Sequence, residues 1–219
     1  YHFERQFRIA AQGFTLFLLA FFCLLQNAQA QNKTLSPLVL TDTTREVFLA
    51  PNSFLQIDEN NEITPQSIEQ SQGRNLNGKT IAGTRVAIGT KAQNAWIVTR
   101  VKNIGSEREW MVDIGQAYDG RMGIIKSARA YAITLPDSQG IPFSISPLKA
   151  STDGSGFFLS MPKNQQKLLL INIQTAGKIN TLLPLKIFAP NSYLKHVKER
   201  SAHNSILMFL MGVFAAIFA

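Results

Sequence analysis

Across residues 46–190 no apolar run lasts longer than a strand before turn residues interrupt it. The stretches EVFLA, SFLQID, TRVAIG, NAWIVTRVKN, REWMVDIG, MGIIKS, ARAYAITL, GFFLSM, KLLLINIQT and LPLKIFAP are rich in Val, Ile, Phe, Trp and Thr. Between them fall NIGS, PDSQG and TDGSG, whose residues accept unusual φ or bond their own backbone in turns. β-branched and aromatic side chains pack well on a pleated, half-buried surface. Short strands at this spacing, with no long helical period, predict an all-β fold: an antiparallel β-sandwich. The polar stretch ENNEITPQSIEQSQGRNLNGKT reads as loop, and residues 31–45 as a linker.

Residues 96–103 and 109–114 predict a central hairpin around the Gly105-Ser106 turn. Successive side chains of a strand point to opposite faces. Trp96, Val98, Arg100 and Lys102 therefore share one face, and Ile97, Thr99 and Val101 the other. In the second strand Trp110, Val112 and Ile114 alternate with Met111 and Asp113. A slip of one residue would turn all of these side chains over, so the Trp-Val-Ile set fixes the register.

The two ends of the sequence differ in kind from its middle. Arg5 and Arg8 precede a short apolar run at residues 14–25, and Ala28-Gln29-Ala30 has the small-residue spacing of a cleavage site. A basic start, a short apolar centre and such a site make residues 1–30 a secretory signal peptide. The weaker alternative is a retained anchor, because a helix crossing the ~30 Å hydrocarbon core takes about 20 residues. Cys23 does not mark a lipid-modified start, since Phe22 before it is too bulky for that cleavage. Residues 205–219 carry no charge, and no polar residue recurs there at the spacing an amphipathic core helix shows. They are expected to be the start of a transmembrane helix, and the chain to be part of a longer membrane protein. Residues 191–204, NSYLKHVKERSAHN, read as a helical juxtamembrane connector with Tyr193, Leu194 and Val197 on one side and Lys195, Lys198 and Arg200 elsewhere. The sandwich at residues 46–190 is thus expected outside the cytosol, attached to a membrane.

Composition then removes whole classes of chemistry. Two arginines and one glutamate leave with residues 1–30, taking the formal charge from +8 to +7. The remaining basic residues are scattered, with no aromatic interleaving, unlike a nucleic-acid footprint. Residues 31–190 contain neither histidine nor cysteine. Ser-His-Asp and Cys-His triads, His-ligated zinc and thiolate metal sites are therefore absent from this domain, as is any disulfide. There is no G-x-S-x-G elbow, P-loop or G-x-G-x-x-G. Asp113, Asp119, Asp137 and Asp153 offer carboxylates, but no spacing pairs them for glycoside hydrolysis. No catalytic residue, metal or cofactor is expected, and the domain is not read as an enzyme.

Trp96, Trp110, Tyr118 and Tyr131 either anchor the core or stack on a sugar ring. Trp96 reads as core, and Trp110 reads as core first while staying among the ligand candidates. Tyr118, inside the turn-like GQAYDGRMG, reads as exposed, with Asp119 and Arg121 beside it to hydrogen-bond a polar ligand. The candidate ligand site is Tyr118, Asp119, Arg121 and Trp110. Asn103 reads as the cap of its turn.

The block NAWIVTRVKNIGSEREWMVDIG resembles the type 2 extracellular domain of bacterial seven-transmembrane receptors with diverse intracellular signalling modules. It places a Trp on one strand, an Asn at its turn and EWMVDI on the next strand. FLQIDENNEIT, LLLINIQTAG and PLKIFAPNSY follow the order of that family, and the resemblance spans residues 46–219. It implies a jelly-roll-like sandwich, similar to carbohydrate-binding modules, that senses a small molecule, carbohydrate among the candidates. It also implies a relay through the membrane to a diguanylate cyclase or histidine kinase, neither of which is in this sequence. The long polar loop at residues 59–80 departs from the family pattern. A membrane-anchored carbohydrate-binding or adhesion module without signalling is the alternative, and homodimerisation is left open.

Overall fold

The computed structural model describes residues 36–70, 76, 78–89, 93–115, 125–134, 143–152, 155–176 and 181–217. All belong to the second of two compact units, Leu35–Ala219. The elements are β1 (Leu38–Leu40), β2 (Glu46–Phe48), β3 (Ser53–Ile57), α1 (Pro65–Gln70), β4 (Lys79–Thr80), β5 (Val86–Ile88) and β6 (Asn94–Asn103). They continue with β7 (Glu109–Asp113), β8 (Ile125–Thr134), β9 (Ser144–Pro147), β10 (Lys149–Ala150) and β11 (Gly156–Ser160). β12 (Gln166–Thr175), β13 (Thr181–Leu183), β14 (Lys186–Phe188) and α2 (Pro190–Ile217) complete the order.

One sheet runs β4-β3-β6-β12-β8-β9, with β1 pairing in parallel against the end of β6. The other runs β10-β11-β7-β14-β2, and β13 pairs with β5 apart from both. The side-chain alternation explains what lies between the sheets. Ala95, Ile97 and Val101 of β6 and Leu169, Ile171 and Ile173 of β12 meet Trp110 and Val112 of β7, Leu159 of β11 and Ile187 of β14 in one buried cluster. This is the expected antiparallel sandwich. The opposite face of β6 and β12 buries Trp96, Val98 and Leu170 against Ile68.

The expected hairpin does not form. β6 and β7 lie in different sheets, and β7 pairs with β11 and β14 instead. The apolar faces of β6 and β7 look at each other across the core, which side-by-side neighbours in one sheet cannot do. The register of β7 is nevertheless the one its Trp-Val-Ile set requires. The segment between them crosses the sandwich, and Asn103 ties it: its Nδ2 donates to the carbonyls of Glu107 and Met161, each at 2.6 Å, and its Oδ1 accepts from Gly105 N–H at 3.1 Å. Gly105 is required by close approach, since a Cβ there would sit 2.8 Å from the Asp42 backbone nitrogen.

Asp42 receives the Ser106 backbone N–H and hydroxyl at the same crossing. These bonds, the backbone one first, hold its carboxyl below the ordinary carboxylate value. A depressed folded-state pKa means the contribution is present at neutral pH and is lost as pH falls through that pKa. NMR titration of Asp42 is expected to give a midpoint below that of free Asp. Ser106→Ala should raise it only part of the way, because the backbone donor stays. A midpoint unmoved by the substitution would count against this arrangement.

Two further expectations are corrected. Residues 31–45 are not all linker: Leu38 and Leu40 of β1 are buried while Val39 is exposed, so a three-residue alternation suffices to join the sheet. The polar loop also holds structure. Thr64 and Ser67 exchange backbone N–H and hydroxyl bonds at 3.1 and 3.0 Å, a reciprocal cap, and Pro65 follows at the first helical position, so α1 starts there. Ile68 is its one buried residue and packs in the Trp96 cluster. Asp58 anchors the approach to α1 by accepting from Glu62 N–H at 2.9 Å, Ile63 N–H at 3.1 Å and Asn94 Nδ2 at 3.0 Å.

The expected connector and the apolar segment after it form one unbroken helix, α2. Its second half exposes apolar side chains in succession, among them Ile206 at 60% and Phe209 at 70%. Among the described residues no helix is long and apolar enough to cross a membrane. The signal-peptide reading of residues 1–30 lies outside the described residues.

Candidate functional site

Because Trp110 and Val112 point into the core, the intervening pleat turns Met111 and Asp113 to the outer face of the smaller sheet. An acid there would ordinarily be solvated. Here the first half of α2 covers it, and the Asp113 side chain is only 4% exposed. Its Oδ1 accepts from Gly115 N–H at 2.8 Å, and its Oδ2 lies 3.4 Å from His196 Nε2 and 3.9 Å from Arg200 Nη1. Arg200 Nη2 also donates to Ser155 Oγ at 3.1 Å, and that hydroxyl shares a 2.9 Å hydrogen bond with Tyr193 OH.

Tyr193, His196, Val197 and Arg200 succeed one another at the three- and four-residue spacing that puts side chains on one helix face. Tyr193 and Val197 pack on Met111 and Phe188. The His196 ring stacks on Phe188 with centroids 4.8 Å apart, and Tyr193 meets Phe188 edge-on at 5.9 Å. Leu194, expected on this side, is 59% exposed, and Arg200, expected elsewhere, is docked. The sequence reading grouped the helix by hydrophobicity, whereas Asp113 makes the docking face partly polar.

Beside this joint opens a cleft of about 520 Å³. β14 and the segment before β5 form one wall through Lys186 and Arg85, and α2 forms the other through His196, Arg200 and His203. The Lys186 ammonium lies 3.2 Å from Glu46 Oε1 and 4.7 Å from the centre of the Phe48 ring. A second concavity follows residues 56–63 on another part of the surface. There Asp58 holds the loop and two backbone N–H groups, which is a structural task. Among the described residues no group of three or more His, Cys, Asp or Glu side chains is placed to hold a metal ion.

No protein-family model matches the sequence, and no characterised protein matches it significantly. Solved structures do align with it. Chitosan-binding module 1 from a chitosanase/glucanase of Paenibacillus sp. IK-5 matches at 12% identity and a TM-score of 0.30, over 64% of this chain and 96% of that one. A selenomethionine-labelled variant of the same module matches at 10% identity and a TM-score of 0.31, over 66% of this chain and 98% of that one. A structure of the Streptococcus pneumoniae β-galactosidase BgaA matches at 14% identity and a TM-score of 0.31, over 65% of this chain and 93% of that one.

Of the four candidate ligand residues, Tyr118, Asp119 and Arg121 lie outside the described residues. Trp110 is corrected: its side chain is fully buried between the sheets, so its ring has no face to offer a sugar. Trp96, read as core, is 3% exposed, with the half-buried Tyr131 ring 6.1 Å away. The helix joint itself was missed. Its signal was present in Asp113, a carboxylate on the outer face of a strand whose inner face is Trp-Val-Ile, and in the Tyr193, His196, Arg200 spacing.

Proposed function

We propose that this chain is the periplasmic ligand-sensing domain of a membrane signal-transduction receptor, of the seven-transmembrane kind its sequence resembles. The observation that carries this reading is α2, one helix with two different halves. Its first half is fixed to the smaller sheet by Tyr193, His196, Val197 and Arg200, and its second half exposes Ile206, Leu207, Phe209 and Phe214. A helix apolar all round, rather than along one stripe, suits lipid or the interior of a bundle. Exposed apolar surface of this extent marks a partner or a membrane rather than water. A continuous helix is also stiff, so a change at the sandwich end is carried along it. Ligand binding biases that helix only if the ligand prefers one arrangement of the joint.

Two measurements test the reading. A reporter enzyme active only outside the cytoplasm, fused after residue 190, is expected to be active. In the full-length protein, a Gly-Ser-Gly-Ser insertion after Arg200 is expected to abolish ligand-dependent output while ligand binding persists. A silent reporter would sink the topology. Normal output from the insertion would reduce α2 to a tether and leave a membrane-anchored binding or adhesion module.

A further inference from the structure

The cleft beside the helix joint gathers permanent cations from three segments remote in sequence. Arg85 stands just before β5, Lys186 opens β14 and Arg200 belongs to the docked half of α2. Two of them are substantially withdrawn from solvent, the Lys186 side chain at 21% exposure and Arg200 at 15%. Their charged heads are held in place: the Lys186 ammonium near the Phe48 and Phe188 rings, and the Arg200 guanidinium by Ser155 and Asp113. His196 and His203 add further donors on the helix side. The acids around the cleft answer this charge only in part: Glu46, 50% exposed, lies 3.2 Å from the Lys186 ammonium. Asp113 spends one oxygen on Gly115 N–H, and Glu199, 66% exposed, lies 3.8 Å from Lys195.

We propose that this cleft is the binding site for a small anionic ligand, one carrying a carboxylate or phosphate group that Arg85, Lys186 and Arg200 hold. A guanidinium presents a planar fork that matches either group with two parallel hydrogen bonds. The volume of about 520 Å³ falls within the roughly 300–1,000 Å³ of small-molecule sites. It exceeds the needs of a bare phosphate, so the anionic group is carried on a larger polar body, with Phe48 and Pro184 as an apolar wall. The proposal rests on the sensor reading and supplies its ligand class. Arg85 and Lys186 belong to the sandwich while Arg200 belongs to the helix, so an anion held by all three draws α2 onto the smaller sheet. His203 lies within a turn of the apolar half, so the same chemistry would be met by a soluble anion or by an anionic lipid headgroup.

The test uses the full chain in neutral detergent at low ionic strength, with calorimetry as the readout. Galacturonate and inorganic phosphate are the soluble anionic probes, and galactose is the neutral counterpart. Phosphatidylglycerol vesicles, compared with phosphatidylcholine vesicles, present the lipid source. Binding of a soluble anion is expected, weakened by salt and weakened roughly tenfold or more in Arg85→Gln, as loss of a charge-assisted hydrogen bond implies. Arg85 is exposed, so its variant should keep the parent melting temperature, and Lys186→Gln provides a second reading of the same site. Binding to phosphatidylglycerol vesicles alone, with the same loss in Arg85→Gln, would assign the site to a headgroup. Galactose binding as tightly as galacturonate, no binding by any anionic probe, or affinity unchanged in both variants would overturn the proposal. Output that survives the Gly-Ser-Gly-Ser insertion would defeat the relay but leave this binding result standing.

Discussion

Trp110→Ala is expected to lower the stability of the sandwich by about 3–5 kcal/mol, the usual loss when a large buried aromatic is truncated. The site cannot collapse to refill the space. β7 is hydrogen-bonded on both sides, to β11 with Trp110 opposite Leu159 and to β14 with Val112 opposite Ile187, so its backbone is held while the ring is removed. The cavity would open among Val112, Leu159, Ile171 and Ile187, all fully buried. Against a total stability of about 5–15 kcal/mol, that loss takes the domain close to unfolding. Trp110→Phe should cost much less. It keeps most of the ring volume and removes an indole N–H that is buried without a hydrogen-bond partner among the described residues. Urea denaturation followed by far-UV circular dichroism separates the cases. A loss under about 1 kcal/mol for Trp110→Ala would mean the ring is not packed as a core residue and would restore it as a ligand contact.

Trp110 also shows what could be read from the sequence and what could not. Strand faces follow from period-two alternation, a local property, so the partition of Trp96 and Val98 from Ile97 and Val101 was legible and is observed. Which strands pair is not local. The turn chemistry at Asn103, Gly105 and Ser106 suits a hairpin, yet the same residues serve a crossing between sheets, because the apolar faces of β6 and β7 must oppose each other. Leu38 and Leu40 were hidden in a polar stretch because two buried side chains and a parallel pairing with β6 leave little trace in composition. The Thr64–Ser67 cap lay in plain view, but the Asn- and Gln-rich context around it outweighed a four-residue signal. The joint was the least legible part. It consists of an acid from β7, a hydroxyl before β11 and three side chains of α2, brought together only by the docking of the helix.

Removing the Asp113 carboxylate is expected to loosen the first half of α2 while the sandwich stays folded. Asp113→Ala withdraws the acceptor of Gly115 N–H and the partner of His196 and Arg200. Breaking a fully buried ion pair costs about 3–5 kcal/mol. Here His196 and Arg200 keep 35% and 15% exposure and can turn to water, so a loss of about 2 kcal/mol is expected instead. Hydrogen exchange of the amides in residues 193–200 should then accelerate by about thirtyfold, with the amides of β6 and β12 unchanged. Tryptic cleavage after Lys195, Lys198 and Arg200 should rise in parallel. Asp113→Asn retains an acceptor for Gly115 N–H but loses the charge, so its effect should fall between parent and alanine. Unchanged exchange in Asp113→Ala would place the docking in the contacts of Tyr193 and Val197 with Phe188 and Met111 and in the Ser155 hydrogen bonds to Tyr193 and Arg200. The magnitude bears on the relay. A contribution of about 2 kcal/mol from Asp113 is within the range that a ligand of some tenfold to hundredfold preference for one arrangement can offset. A joint fixed by a fully buried, tightly paired charge would lie beyond it.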